Sequence, residues 1–454
     1  MLADLDVDYL VIGAGAAGMA FTDALIAHAD ATVALVDTRD APGGHWHDAY
    51  PFVQLHQASP YYGVASTVLG GELQTTGPES GLHERATGAQ VLEYYAAVMT
   101  DVFEPTGRVQ FLGRRRHEGG GLITELATGR QHRARPGTRI VDARYLSPTV
   151  PQTTPPPWAV GNGSHVIPSS KLDPDTTGRL VIVGSGKTAT DAIVHLLTHG
   201  TDPGDITWIR PRDPWMLDRA LVQPKSAAFH EMGAAVLESA AQASSLDDLF
   251  ARMEAAGVMM RIDPSVTPTM AKAPTLGRWE LDLLRSVENI VRAGRIVESR
   301  PGLLRLQHGD VQIPRDATII HCAADGLRRP APQPIWSTEA ITLQTVRAGF
   351  PCFGAALTGY VEATRTDDAT KNALCPPNLY GDTRADWVAM TVRGARAVTR
   401  FMAEPDIAAW ANGTTLNPAR VTDAADPATA SALERSAEAA PAGLEALERL
   451  AALT

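Results

Sequence analysis

The segment that most restricts the fold is DYLVIGAGAAG at residues 8–18, where an apolar, β-branched run stops on Gly13, Gly15 and Gly18 and good helix formers continue through Ala29. Passing from strand to helix across so tight a turn needs free φ at Gly13 and a bare backbone at Gly15. It also needs no side chain at Gly18, where helix meets strand. A pyrophosphate then faces the N-terminus of the helix opened by Ala16 and Ala17. The next apolar run, TVALVD at 32–37, ends on Asp37, whose carboxylate suits the hydroxyls of a ribose, with Thr38 and Arg39 following at the same end. Two continuous apolar runs joined by a helix predict a parallel sheet covered on its faces.

The same pattern returns at residues 179–212, as RLVIVGSGKTATDAIVHLLTHG followed by ITWIRPR. Its turn carries Gly184, Ser185, Gly186, Lys187, Thr188 and Ala189. Its second strand ends on Arg210, with Arg212 beyond, in place of an acid. Guanidinium groups there suit a 2′-phosphate, which favours NADPH over NADH. A phosphate-loop reading of GSGKT fails because the first glycine of that motif falls on Val181. The fold expected is α/β with two Rossmann-like dinucleotide-binding domains.

The chain has 454 residues, enough for two or three domains, and a net charge of −11, which disfavours nucleic acid or an anionic membrane as partner. The N-terminus is acidic where a signal peptide is basic, and no apolar stretch is long enough to span a bilayer. Three scattered cysteines, Cys322, Cys352 and Cys375, suggest a reducing cytoplasm and exclude a redox pair. The expected divisions are 1–150 with 320–454, a proline-rich crossing at 151–177, and 178–319 with a helical insertion at about 226–285. ATIIHC at 317–322 reads as a strand, GFPCFGAAL at 349–357 as a last core strand, and the tail from Asp423 as a surface helix.

Between the two units lies GGHWHDAYPFVQLHQASPYYGV at 43–64. His45 and His47 form an HxH pair, but no further ligand stands at metal-like spacing, so no metal is expected. The better reading is a polar, aromatic loop at the carboxyl end of the sheet, where a cofactor ring lies. His45, His47, His56, Gln57 and Tyr61 are its candidate hydrogen-bonding and proton-handling groups.

These two glycine motifs, the GGHW loop, the WIRPRDPW segment and the proline-rich crossing together resemble the class B flavoprotein monooxygenases, over most of residues 8–215 and more faintly over 316–360. That group comprises flavin-containing, Baeyer–Villiger and N-hydroxylating monooxygenases. The resemblance implies that the first unit binds FAD, with Gly44 and Trp46 against it, and that the second binds NADPH. It implies insertion of one oxygen from O2 into a small organic substrate through a flavin C4a-(hydro)peroxide. His56 stands where Baeyer–Villiger enzymes place an aspartate, and HCAADGL at 321–327 replaces the usual A-T-G. Two other readings stay open: a flavin reductase or dehydrogenase without oxygen insertion, and a non-catalytic nucleotide-binding redox sensor. Assembly as a homodimer is also open.

Overall fold

The computed structural model describes residues 3–173, 176–324, 326–378 and 380–452. Pro174 and Asp175 of the expected crossing, and Asp325 of the 321–327 segment, lie outside the described residues.

Two parallel five-stranded sheets organise the chain. In the first, Tyr9–Ile12 is central, flanked by Val33–Val36 and Arg139–Asp142, with Val109–Leu112 and Ile341–Thr342 at the edges. Tyr9–Ile12 and Val33–Val36 are almost wholly buried, as continuous apolar runs covered on both faces should be. Helix Ala16–His28 packs on this sheet with helix Pro351–Thr364. In the second sheet the order is His165–Pro168, Thr318–His321, Leu180–Val183, Ile206–Ile209 and Ile290–Val291, all parallel. Among the described residues, three smaller sheets complete the strand structure.

Several expectations need correction. Residues 349–357 are not a strand: Pro351–Thr364 is a helix, buried on nearly every side, with Pro351 preset for its first turn. A short apolar run cannot be told from a buried helix by periodicity. The stretch 226–285 is not wholly helical. After helices Ser226–Gln242 and Leu246–Ala255, Gly257 at φ +77° stops the helix, and strands Met259–Arg261 and Met270–Leu276 flank Pro214–Asp218 before helix Arg278–Arg285. The crossing contains Ala159–Val160 and His165–Pro168, the latter an edge strand of the second sheet. The strand at 318–321 also belongs to the second sheet, so a boundary at 320 cuts through it. The tail forms helix Pro427–Ala452, and Thr429, Ala432, Gly443, Ala446, Leu447 and Leu450 are buried, largely against the helix Ser226–Gln242. Among the described residues no helix is long and apolar enough to cross a membrane.

Candidate functional site

The first glycine turn follows directly from its residues. Gly13 sits at φ +106°, and its N–H donates to the Val36 carbonyl at 2.7 Å. A Cβ on Gly18 would stand 1.9 Å from the Gly13 carbonyl oxygen, so only glycine lets the helix start this close to its strand. Helix Ala16–His28 begins at Gly15 with no side-chain cap, which leaves its first amides to an outside acceptor. Asp37 is buried at the end of the second strand and accepts hydrogen bonds from the Ala14 and Arg39 amides, each at 2.9 Å. Thr38 beside it is exposed, and Arg39 pairs with Asp48.

The second turn repeats the design. Gly184 takes φ +143°, its N–H donates to Ile209 O, and its carbonyl accepts from the Trp208 indole at 2.8 Å. Helix Lys187–Thr198 likewise starts at an uncapped glycine, Gly186. Ser185, Gly186, Lys187 and Thr188 are half-buried and Ala189 is buried. The Lys272 ammonium stands over the turn, 3.5 Å from where a Gly186 Cβ would be.

The two arginines at the strand end differ. Arg210 is wholly buried, 4.4 Å over the Trp208 ring and 2.8 Å from Asp213, and burial lowers its pKa to about 10. The Arg212 side chain is 40% exposed and pairs with Asp382 at 2.7 Å, so it is the guanidinium at this end that an incoming phosphate can reach.

Residues 43–57 run from one turn to the other. Gly43 and Gly44 adopt positive φ, the Gly43 amide donates to Ala14 O, and a Cβ on Gly44 would lie 2.9 Å from Gly15 Cα. Trp46 then donates to Tyr62 OH at 2.7 Å and stacks on His45. Farther along, Tyr50 OH donates to Asp191 Oδ2 at 2.6 Å, and Phe52 stacks on His195 at 4.1 Å; both partners lie on the helix of the second turn. One loop therefore touches the first glycine turn and the helix that leaves the second.

Its five candidate polar residues do not converge on one point. Burial and the neighbouring Arg39 lower the His45 pKa to about 4. His47 is exposed, with Nε2 2.9 Å from Pro42 O. His56 lies at the second turn, where burial, then Lys187 and Arg85, lower its pKa to about 4. Gln57 reaches the Tyr61 carbonyl at 3.4 Å, and the Tyr61 hydroxyl donates to Gln223 O.

Around His56 runs a buried chain of alternating charge that local sequence does not announce. Lys187 pairs with Asp191 and lies 3.7 Å from Glu280; Glu280 is 3.1 Å from Arg85; Arg85 is 2.8 Å from Glu79; Glu79 is 3.1 Å from Arg219. The Trp279 indole also donates to Glu79, at 3.0 Å. Burial opposes ionisation of Glu280, yet Lys187 and Arg85 hold its pKa below the usual carboxylate range. Charged residues in a sequence read as solvated surface; only their meeting partners make them interior.

A family model described as an NAD(P)-binding Rossmann-like domain matches residues 11–57. The uncharacterized proteins Rv2000 and MT2056 of two Mycobacterium tuberculosis strains, and Mb2023 of Mycobacterium bovis, are each 40% identical over 418 residues, covering 91% of this chain and 78% of theirs. Among solved structures, cyclohexanone monooxygenase from Rhodococcus sp. Phi1 bound to NADP+ is 15% identical over 80% of this chain and 84% of that one, with a TM-score of 0.49. A flavin-containing monooxygenase from Stenotrophomonas maltophilia is 16% identical over 76% and 84%, with a TM-score of 0.38.

Proposed function

From the premise that the chain belongs to the family of the mycobacterial protein Rv2000, we propose that it is an FAD- and NADPH-dependent monooxygenase acting on a small organic substrate. The observation that carries this reading is the single loop, residues 43–57, that packs on the first glycine turn through Gly44 and on the helix leaving the second through Tyr50 and Phe52. Dinucleotides held at those two turns would both border this loop, as hydride transfer between them requires.

The residues fit both groups. At the first turn, Gly13, Gly15 and Gly18 give bare backbone, the uncapped start of the helix at Ala16 and Ala17 faces a pyrophosphate, and Asp37, Thr38 and Arg39 stand at the ribose end. Gly44 packs on Gly15 of that turn, with the stacked pair His45 and Trp46 following it in the loop. At the second turn, Gly184, Ser185, Gly186, Thr188 and Ala189 form the cradle, with Lys187 and Arg212 supplying cations and Arg210 bracing the strand from beneath. Bound FAD supplies hydride acceptance from NADPH and reaction with O2. His45 and His56 stay neutral at pH 7, so each presents one N–H donor and one acceptor nitrogen without adding charge. Tyr61 and Gln57 hold the far wall of the loop through their backbone-directed hydrogen bonds. The FAD-binding domain is then residues 1–150 with the chain beyond the 318–321 strand, and the NADPH-binding domain the part between.

The test is the visible spectrum of the purified protein during anaerobic NADPH addition, then on admitting O2. The expected result is bound flavin that bleaches faster with NADPH than with NADH and recovers with O2 consumption. A colourless protein that takes up no FAD overturns the reading. Bleaching with no oxygenated product from any tested substrate class favours a reductase.

A further inference from the structure

Asp382 meets the end of the second dinucleotide-binding unit from a distant part of the chain. It stands just before helix Arg384–Met402, whose N-cap is Thr383. Its carbonyl accepts from the Ala271 amide at 3.1 Å, and Thr383 forms a β-bridge with Met270, so the backbone here is pinned to the strand Met270–Leu276. Rotation of its side chain is the way Asp382 can yield.

Two guanidiniums share one of its oxygens. Arg212, two residues past the strand-ending Arg210, lies 2.7 Å from Oδ2, and Arg329, beyond the strand Thr318–His321, lies 3.4 Å from the same atom. Both arginine side chains are part-exposed, at 40% and 43%, whereas that of Asp382 is 15% exposed. Burial opposes ionisation of Asp382, yet Arg212, Arg329 and Lys272 hold its pKa below the usual carboxylate range. The Lys272 ammonium itself stands by Gly186, where a pyrophosphate takes up charge.

These groups make an anion seat with an anion already in it. A ribose 2′-phosphate carries about two negative charges near neutral pH, which two guanidiniums balance. A carboxylate left on the same pair both spends one of those charges and repels the phosphate. Part-exposed ion pairs are weak, so giving up the carboxylate for a phosphate loses little.

We propose that Asp382 occupies the seat of the NADPH 2′-phosphate between Arg212 and Arg329, and that NADPH binds by displacing it. NADH brings a hydroxyl and no charge to exchange, and leaves the Asp382 pairs closed. Asp382 thereby sets how far the phosphate improves binding, and Arg329 becomes the second cation of the seat. The proposal rests on NADPH being the nucleotide of the second turn.

Calorimetric titration of the full chain with 2′,5′-ADP and with 5′-AMP tests it, because the two differ only in the 2′-phosphate. Asp382→Asn should bind 2′,5′-ADP about tenfold more tightly than wild type and Arg329→Gln about tenfold more weakly, with 5′-AMP unchanged in both. Circular dichroism checks that the variants fold; if Asp382→Asn does not, Asp382→Ser takes its place. Unchanged 2′,5′-ADP binding in a folded Asp382 variant, or equal tightening of both nucleotides, overturns the displacement. Weaker 2′,5′-ADP binding there also overturns it, and makes Asp382 a support for Arg212. Wild-type 2′,5′-ADP affinity in folded Arg329→Gln removes Arg329 from the seat. A wild-type preference for 2′,5′-ADP that the variants do not move keeps the NADPH reading and loses this proposal. If neither wild type nor Asp382→Asn tells the two nucleotides apart, the NADPH reading falls as well.

Discussion

Gly18 and Gly13 show how little room one residue has. A Gly18→Ala methyl would have to occupy the position of the Gly13 carbonyl oxygen, so the helix must move off its strand. We expect a loss of at least about 2 kcal/mol in urea unfolding, and weaker flavin retention read from absorbance after gel filtration. The two arginines at the second turn predict separable effects. Arg212→Ala removes a part-exposed cation and should raise the NADPH KM about tenfold, with less effect on NADH and little on stability. Arg210→Ala empties a buried position over Trp208 and strips Asp213 of one of its two guanidinium partners, and should cost about 2 kcal/mol of stability. Equal effects of Arg212→Ala on both nucleotides in steady-state kinetics would remove it from the 2′-phosphate.

Among the elements, the last helix is joined to the Ser226–Gln242 helix at a point of close approach. A Cβ at Gly443 would lie 2.6 Å from the Leu237 carbonyl oxygen, backbone that cannot swing aside. Gly443→Ala should therefore cost about 1–3 kcal/mol and lower Tm in a calorimetric scan, whereas alanine at a solvent-facing glycine of a helix stabilises. The pairing was not legible beforehand. The tail's leucine spacing gave a helix with one apolar face, but the partner of that face lies some two hundred residues earlier. Likewise, 349–357 carried the right hydrophobicity and the wrong period, because a helix buried all round has no polar face to betray it.

At the scale of the whole molecule, the buried charges from Asp191 to Arg219 and the His56 ring hold the two sheets' loops together. Burial depresses the folded-state pKa of His56 to about 4, below its ordinary value near 6.5 in an unfolded chain. The unfolded state then binds more protons between these values, so this contribution is complete above about pH 6.5 and is lost as pH falls towards 4. Tm measured across that range should fall with acid, and His56→Gln should flatten the slope. An unchanged slope would place His56 in solvent.

Local sequence was enough for the two strand–turn–helix units and, with Thr318–His321, for five of the ten strands in their sheets. Each of those features is written in adjacent residues: β-branched runs, glycines where a turn forbids a side chain, an acid or an arginine at a strand end. It also singled out the 43–64 loop, by composition. What that loop joins, and that Arg210 is buried while Arg212 is reachable, came from the fold in three dimensions. Those properties depend on which distant groups surround a side chain, since burial, pairing and desolvation are set by neighbours in space that no local pattern encodes.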